Sequence, residues 1–163
     1  MKIDEYGCMH FYGDDYQVGD LVKYPYEIYL PVAPVSEVNE DVVELDGDRS
    51  LRFDDCDIYP IELTDNILRS IGFKDGDKSD LVTEFVYATD LEQSPQTVVS
   101  YTFYSKPING VTSLLKCWTK ARTGDGQNDV HLCDVRYLHQ LQQALRLCGI
   151  RLDIPYSVYC HWG

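Results

Sequence analysis

Apolar and polar positions alternate between residues 18 and 60, as in "VGDLVKY" and around Tyr24, Tyr26 and Tyr29. A period of two is that of a half-buried strand, and β-branched and aromatic side chains suit its pleated surface. Strands are predicted at 20–24, 27–32, 42–45, 50–53 and 57–59, divided by turn residues at Pro31-Val32-Ala33-Pro34 and Asp46-Gly47-Asp48. Short strands packed this closely suggest a small SH3-like barrel or a curled meander. Gly19 would admit the bend before its first apolar strand.

The period then changes. In "IELTDNILRSIGF", residues 61–73, Ile67, Leu68 and Ile71 form one helical stripe, Thr64 can cap it, Asp65 suits its first turn and Gly72 its left-handed end. Polar residues 74–80 read as a loop and a hinge. Strands of an antiparallel sheet follow at 82–88, 98–104, 111–119 and 129–133, with turns at Glu92-Gln93-Ser94-Pro95, Lys106-Pro107-Ile108-Asn109-Gly110 and Thr123-Gly124-Asp125-Gly126.

The most patterned stretch is "YLHQLQQALRLCGIRLDI", residues 137–154. Asp134 could cap a helix that runs to Cys148 and stops at Gly149, with 150–154 as a closing strand. Leu138, Leu141, Leu145 and Cys148 fall on one face, and Arg136, His139, Gln140, Gln143 and Arg146 on the other or its margin. The expectation is an α+β protein: a barrel-like part with a short helix over 1–73, then an antiparallel sheet with one amphipathic carboxy-terminal helix over 81–163, the two parts forming separate or continuous domains.

Three segments, "VGDLVKY", "YPIELTDNILRSIGF" and "RYLHQLQQALRLCGIRLDI", in this order, resemble small proteins encoded by phages and mobile elements of Bacteroides-type bacteria. The resemblance covers about residues 18–154 and is tight in those three segments. It implies an origin and a layout rather than an activity, and carries over His139, Gln140 and Gln142 as surface positions. The chain departs from the pattern in Gln143-Ala144-Leu145-Arg146-Leu147, in its tyrosine-rich head and in its tail "PYSVYCHWG".

Charge narrows the partners. Lys and Arg number 14 against 27 Asp and Glu, a formal balance of −13 that opposes binding to phosphate backbones. The acids cluster in turns such as Asp75-Gly76-Asp77 rather than along one surface, which favours solvated turns over mimicry of DNA. No stretch approaches the ~20 apolar residues of a membrane span. No apolar run follows Lys2, so no signal peptide is expected, and the 6 cysteines are expected as free thiols in a cytosol.

Three Cys/His pairs, Cys8-x-His10, His131-x-Cys133 and Cys160-His161, raise metal binding. None has the C-x₂₋₄-C spacing that converges from a turn, although alternate residues of a strand share a face, so two of the pairs could meet in space. The expectation is ordinary use of these residues, no metal and no cofactor. "TGDGQND", residues 123–129, lacks the closing Glu of a calcium loop. No nucleophile elbow, P-loop, dinucleotide fingerprint or H-E-x-x-H is present.

Thirteen tyrosines, by contrast, are an ample supply of rigid amphipathic contact area. These features lean away from an enzyme and towards a phage or mobile-element accessory protein that binds a protein partner or itself in the host cytosol, in the manner of a modulator of host defence. Its expected surface is Arg136, His139, Gln140 and Gln143. The alternative is a pocket beside the last helix, lined by His139, Arg136 and Gln143, that binds or degrades a nucleotide.

Overall fold

The computed structural model describes residues 2–3, 8–10, 16–24, 31–38, 42–45, 51–54, 58–88, 96–120, 130–133 and 135–162. The first strands are β1 (Lys2–Ile3), β2 (Cys8–His10), β3 (Leu21–Lys23), β4 (Val32–Val38), β5 (Val42–Leu45) and β6 (Leu51–Asp54). Helix α1 (Asp65–Ser70) leads to β7 (Lys74–Lys78), β8 (Val82–Ala88), β9 (Gln96–Ile108), β10 (Val111–Lys120) and β11 (Val130–Cys133). Helices α2 (Leu138–Leu147) and α3 (Tyr156–Tyr159) close the chain.

Among the described residues these strands make two sheets, in the orders β1-β2-β11-β10-β9-β8-β7 and β3-β4-β5-β6. All pairings are antiparallel except β2 with β11. The protein is therefore α+β and mostly sheet. In the smaller sheet the chain returns after β6 to the free side of β3, where Lys23 and Tyr59 exchange backbone hydrogen bonds of 2.9 and 2.8 Å.

Local rules explain the helix ends. Thr64 Oγ1 accepts from the Ile67 amide at 3.3 Å. At the other end of α1 the Gly72 amide donates to Arg69 O and the Phe73 amide to Leu68 O, with Gly72 at φ 108°. That is a Schellman closure, and it folds Phe73 onto Leu68 in the core. Helix α2 ends the same way: Gly149 at φ 79° donates to Arg146 O and Ile150 to Leu145 O. Asn109 and Gly110, both at positive φ, turn β9 into β10, as a two-residue hairpin loop requires.

Several expectations are corrected. Residues 74–78 are not a hinge loop but the exposed edge strand β7, paired with β8; its Lys and Asp side chains give a sheet edge that resists further pairing. Pro31-Val32-Ala33-Pro34 is not a turn, since Val32, Ala33 and Pro34 pair with Lys23, Val22 and Leu21. The Val35 amide donates to Asp20 O, so Pro34 presents its nitrogen away from β3 and costs that pairing no hydrogen bond. Helix α2 starts at Leu138 with Tyr137 as its N-cap, not at Asp134, which lies outside the described residues. Residues 150–154 keep the alternation of a strand but pair with no strand among the described residues. The expected turns at 46–48, 92–95 and 123–126, and most of the expected strand 27–32, also lie outside the described residues.

The expected division after residue 73 falls inside one hydrophobic cluster. Ile61, Leu63, Leu68 and Phe73 pack there with Phe85, Val99, Tyr101 and Leu115 of the larger sheet and with Leu138, Leu141, Ala144 and Leu145 of α2. Strands β1 and β2 likewise belong to the larger sheet. A second cluster, Tyr16, Val22, Ala33, Val35, Val43, Leu45 and Ile58, fills the smaller sheet. Two buried hydroxyls, Tyr101 Oη and Ser113 Oγ, donate to Val135 O and so fix the entry into α2.

Because nothing lies within 4 Å of a Cβ added at Gly149, Gly149→Ala isolates the cost of the left-handed backbone. Urea unfolding should show a loss on the order of 1 kcal/mol. Gly72→Ala should lose more, because the Tyr87 ring lies 3.2 Å from the added methyl.

Candidate functional site

The polar side of α2 is not wet. His139 is 0% exposed, and Gln140, Gln142 and Gln143 are all buried. The helix lies between the two sheets: its leucines face the larger one, while His139, Gln142, Gln143 and Arg146 meet the segment 16–21 that opens the smaller one. A polar stripe reads as solvent-facing only when a single layer covers the helix, and here a second layer covers the stripe.

Each buried polar group has a structural task. Gln140 Oε1 accepts from the amides of Arg136 (2.9 Å) and Tyr137 (3.1 Å), which satisfies donors at the helix start. Gln142 behaves like one rung of a ladder: its Oε1 accepts from the Leu21 amide at 2.9 Å and its Nε2 donates to Gly19 O at 3.2 Å. His139 stacks on Tyr137 at 5.9 Å between centroids and meets Tyr16, from the core of the smaller sheet, at 4.8 Å.

Asp20 is the centre of the contact. It is 0% exposed, and its Oδ2 accepts from Gln143 Nε2 and from the Gln17 amide, both at 2.8 Å. Its Oδ1 lies 2.7 Å from Arg146 Nη1, which also donates to Gln17 Oε1 at 3.3 Å. Burial pushes the Asp20 carboxyl above its ordinary 3.8, against the opposing pull of Gln143, the Gln17 amide and Arg146. Gly19, at φ 93°, lets the chain turn under the guanidinium: an added Cβ would lie 3.2 Å from Arg146 Nη2.

Beside this contact lies an open groove of about 630 Å³. One wall is Val18, Gly19, Leu21 and Pro34, the floor includes Gln142 and Arg146, and the other wall is the run from Gly149 to Pro155 with Tyr159. A smaller hollow of about 300 Å³, next to Ile71 and Tyr87, flanks the same run on another side. Leu152 and Ile154 pack towards the core while Arg151 and Asp153 are almost fully exposed.

Of the four residues expected at a surface, only Arg136 is exposed; His139, Gln140 and Gln143 are internal, and none of the four lines the groove. The groove-lining residues Gln142 and Arg146 and the buried Asp20 take the place expected of them. Arg146 was legible as a polar position of the helix, but no local rule pairs it with Asp20, which lies more than a hundred residues earlier.

Among the residues whose side chains are described, no three His, Cys, Asp or Glu residues converge as metal ligands. The run 123–129 lies outside the described residues. The backbone does set two of the Cys/His pairs side by side, since Cys8 and His131 are register partners in β2 and β11. No helix among the described residues is long and apolar enough to cross a membrane. No protein-family model, curated protein or solved structure matches the chain.

Asp20→Ala would leave Gln143 Nε2, the Gln17 amide and Arg146 without their acceptor, and urea unfolding at neutral pH should show a loss on the order of 3 kcal/mol. The pH dependence has a definite sign. With its folded pKa above 3.8, Asp20 holds its proton more tightly in the folded state, so its contribution to stability falls as pH rises from 3.8 through the folded value. Asp20→Asn should remove that component, which is checked by comparing the slopes of stability against pH for the two proteins just above pH 3.8.

Proposed function

We propose that this chain is a phage or mobile-element accessory protein that acts by non-enzymatic binding of another protein in the host cytosol, in the manner of a modulator of host defence. The observation that carries the reading is the groove and its unpaired wall. Residues 151–154 line the groove, alternate between exposed and half-buried positions as a strand does, and make no backbone hydrogen bond with any described residue. Free amides and carbonyls along an extended run are what an incoming strand recognises, and pockets for alternate side chains add selectivity.

The lining supports the same reading. Val18 is 60% exposed at one rim and Tyr156, just past Pro155, is 70% exposed, so apolar surface extends out of the groove. Among the described residues Arg146 uses Nη1 for Asp20 and Gln17, and its other guanidinium donors could meet an acceptor on the partner. In this reading the smaller sheet, with Tyr59 returning to β3, is an SH3-like barrel whose first strand supplies a wall of the binding site.

A second reading, capture of a small nucleotide, is favoured by one observation: about 630 Å³ lies within the range of small-molecule sites, and an arginine lines it. Arg146 and Gln142 would then be the contacts, in place of His139, Arg136 and Gln143.

Thermal-shift measurements with adenine and guanine nucleotides separate the two readings. The protein-binding reading expects no shift, whereas a nucleotide at ~100 times its Kd would add about 2.7 kcal/mol. Amide exchange measured with a partner recovered from host lysate should slow at 151–154. A monomeric mass by light scattering together with no recovered partner would count against protein binding.

A further inference from the structure

The run "GIRLDIP", residues 149–155, is self-complementary about Leu152: an arginine and an aspartate stand one place to either side of it, and an isoleucine two places to either side. Its side chains alternate. Ile150 is buried, Leu152 and Ile154 are half-buried, and Arg151 and Asp153 are exposed. Arg151 Nε lies 3.9 Å from Asp153 Oδ1, so both charges project from one side of the run. Pro155 disfavours helical backbone at Ile154, in keeping with that alternation.

Alternate residues of a strand direct their amides and carbonyls to the same edge. The Ile150 amide is spent on Leu145 O of α2 at 2.8 Å, so the edge that Ile150 shares with Leu152 and Ile154 is turned towards the protein. Arg151 and Asp153 then hold the opposite edge, and no backbone hydrogen bond joins either to a described residue.

We propose that the wall at 150–154 is a self-association edge, which pairs antiparallel with the same run of a second copy about a twofold axis through Leu152. The inference rests on the reading of this wall as a strand acceptor and names the strand. In that register Arg151 lies opposite Asp153 of the second copy and Asp153 opposite its Arg151, so both rungs carry opposite charges. A parallel, in-register pairing would instead set like charges level. The hydrogen bonds of these two rungs use the amides and carbonyls of Arg151 and Asp153 alone. Neither the spent Ile150 amide nor the missing N–H of Pro155 is called on.

The ends of the seam fit as well. Antiparallel pairing brings Tyr156 of one copy, 70% exposed, to the Gly149 end of the other, where Leu147 is 54% exposed and nothing lies within 4 Å of a Cβ added at Gly149. A seam of this length stays below the roughly 1,200 Å² of stable interfaces, so the dimer is weak and concentration-dependent. Self-pairing occupies the edge that a strand of another protein would use, so the two compete.

The test is sedimentation of the reduced full chain, in which Cys148 and Cys160 form no bridge between copies. Salt at about 0.15 M screens the repulsion between two chains of net charge −13. The mass should rise from monomer towards dimer as the concentration approaches about 1 mM. Arg151→Asp and Asp153→Arg, each at an almost fully exposed position, should each weaken dimerisation on the order of tenfold or more, since like charges then oppose each other at both rungs. An equimolar mixture of those two variants should dimerise again, and so should the double variant Arg151→Asp, Asp153→Arg. Amide exchange in the dimer should slow at Arg151 and Asp153 more than at Leu152.

A chain that stays monomeric at about 1 mM, single variants that dimerise as the parent does, or a mixture that stays monomeric would each overturn the proposal. The strand-accepting wall is judged separately, by amide exchange at 151–154 in a complex with another protein. Persistent monomer overturns self-pairing alone, and unslowed exchange in such a complex overturns the wall.

Discussion

The buried polar contact between the turn at residues 17–21 and helix α2 is the constraint on which the rest of the architecture depends. A helix placed between two sheets must satisfy the start of β3, whose Leu21 amide and Gly19 carbonyl face the helix rather than another strand. Buried backbone groups need partners, and only a side chain carrying both an acceptor and a donor can serve the two at once. Gln142 does so, and Gln143 and Arg146 serve the carboxylate that holds the same turn. Net hydrogen bonds are worth about 1 kcal/mol each, but leaving any of these groups unpaired costs more. The contact therefore fixes position more than it adds stability: sliding the helix by one residue would strand several buried groups together.

The groove inherits its shape from that contact. Gln142 and Arg146 are bonded to the turn and line the groove floor, while Val18 and Gly19 of the same turn form one of its walls. A ligand in the groove would meet side chains whose positions are already set, so it would lose little freedom on ordering them. The wall at 151–154 is held differently: Gly149 redirects the chain and Leu152 and Ile154 anchor it, and its backbone groups have no backbone partner among the described residues.

Much of this was legible locally. The Thr64 cap, the Gly72 and Gly149 terminations, the strand over residues 82–88 and the Asn109-Gly110 turn follow from rules acting within a few residues. What was illegible depended on distant partners. Polar residues 74–78 pair because β8 offers an edge, whereas "GIRLDI" pairs with no described strand. The glutamines of α2 carry the period of a wet face, and nothing within the helix signals a second sheet above it. Asp20 looked like one more acid in a turn, though its carboxylate is sealed from solvent.

The same long-range logic joins the contact to the parallel seam. Cys8 and His131 are as far apart in sequence as Asp20 and Gln143, so each closure alone must overcome the entropy of a long loop. Once α2 is docked on the turn at 17–21, residues 8 and 131 lie only about a dozen positions from an existing junction, and the second closure is a short-loop problem. Loop entropy grows slowly with length, so the advantage is a few kcal/mol at most, yet that is of the order of what a short ladder lacks. The parallel seam and the Asp20 contact then reinforce each other: weakening either lengthens the loop that the other must close.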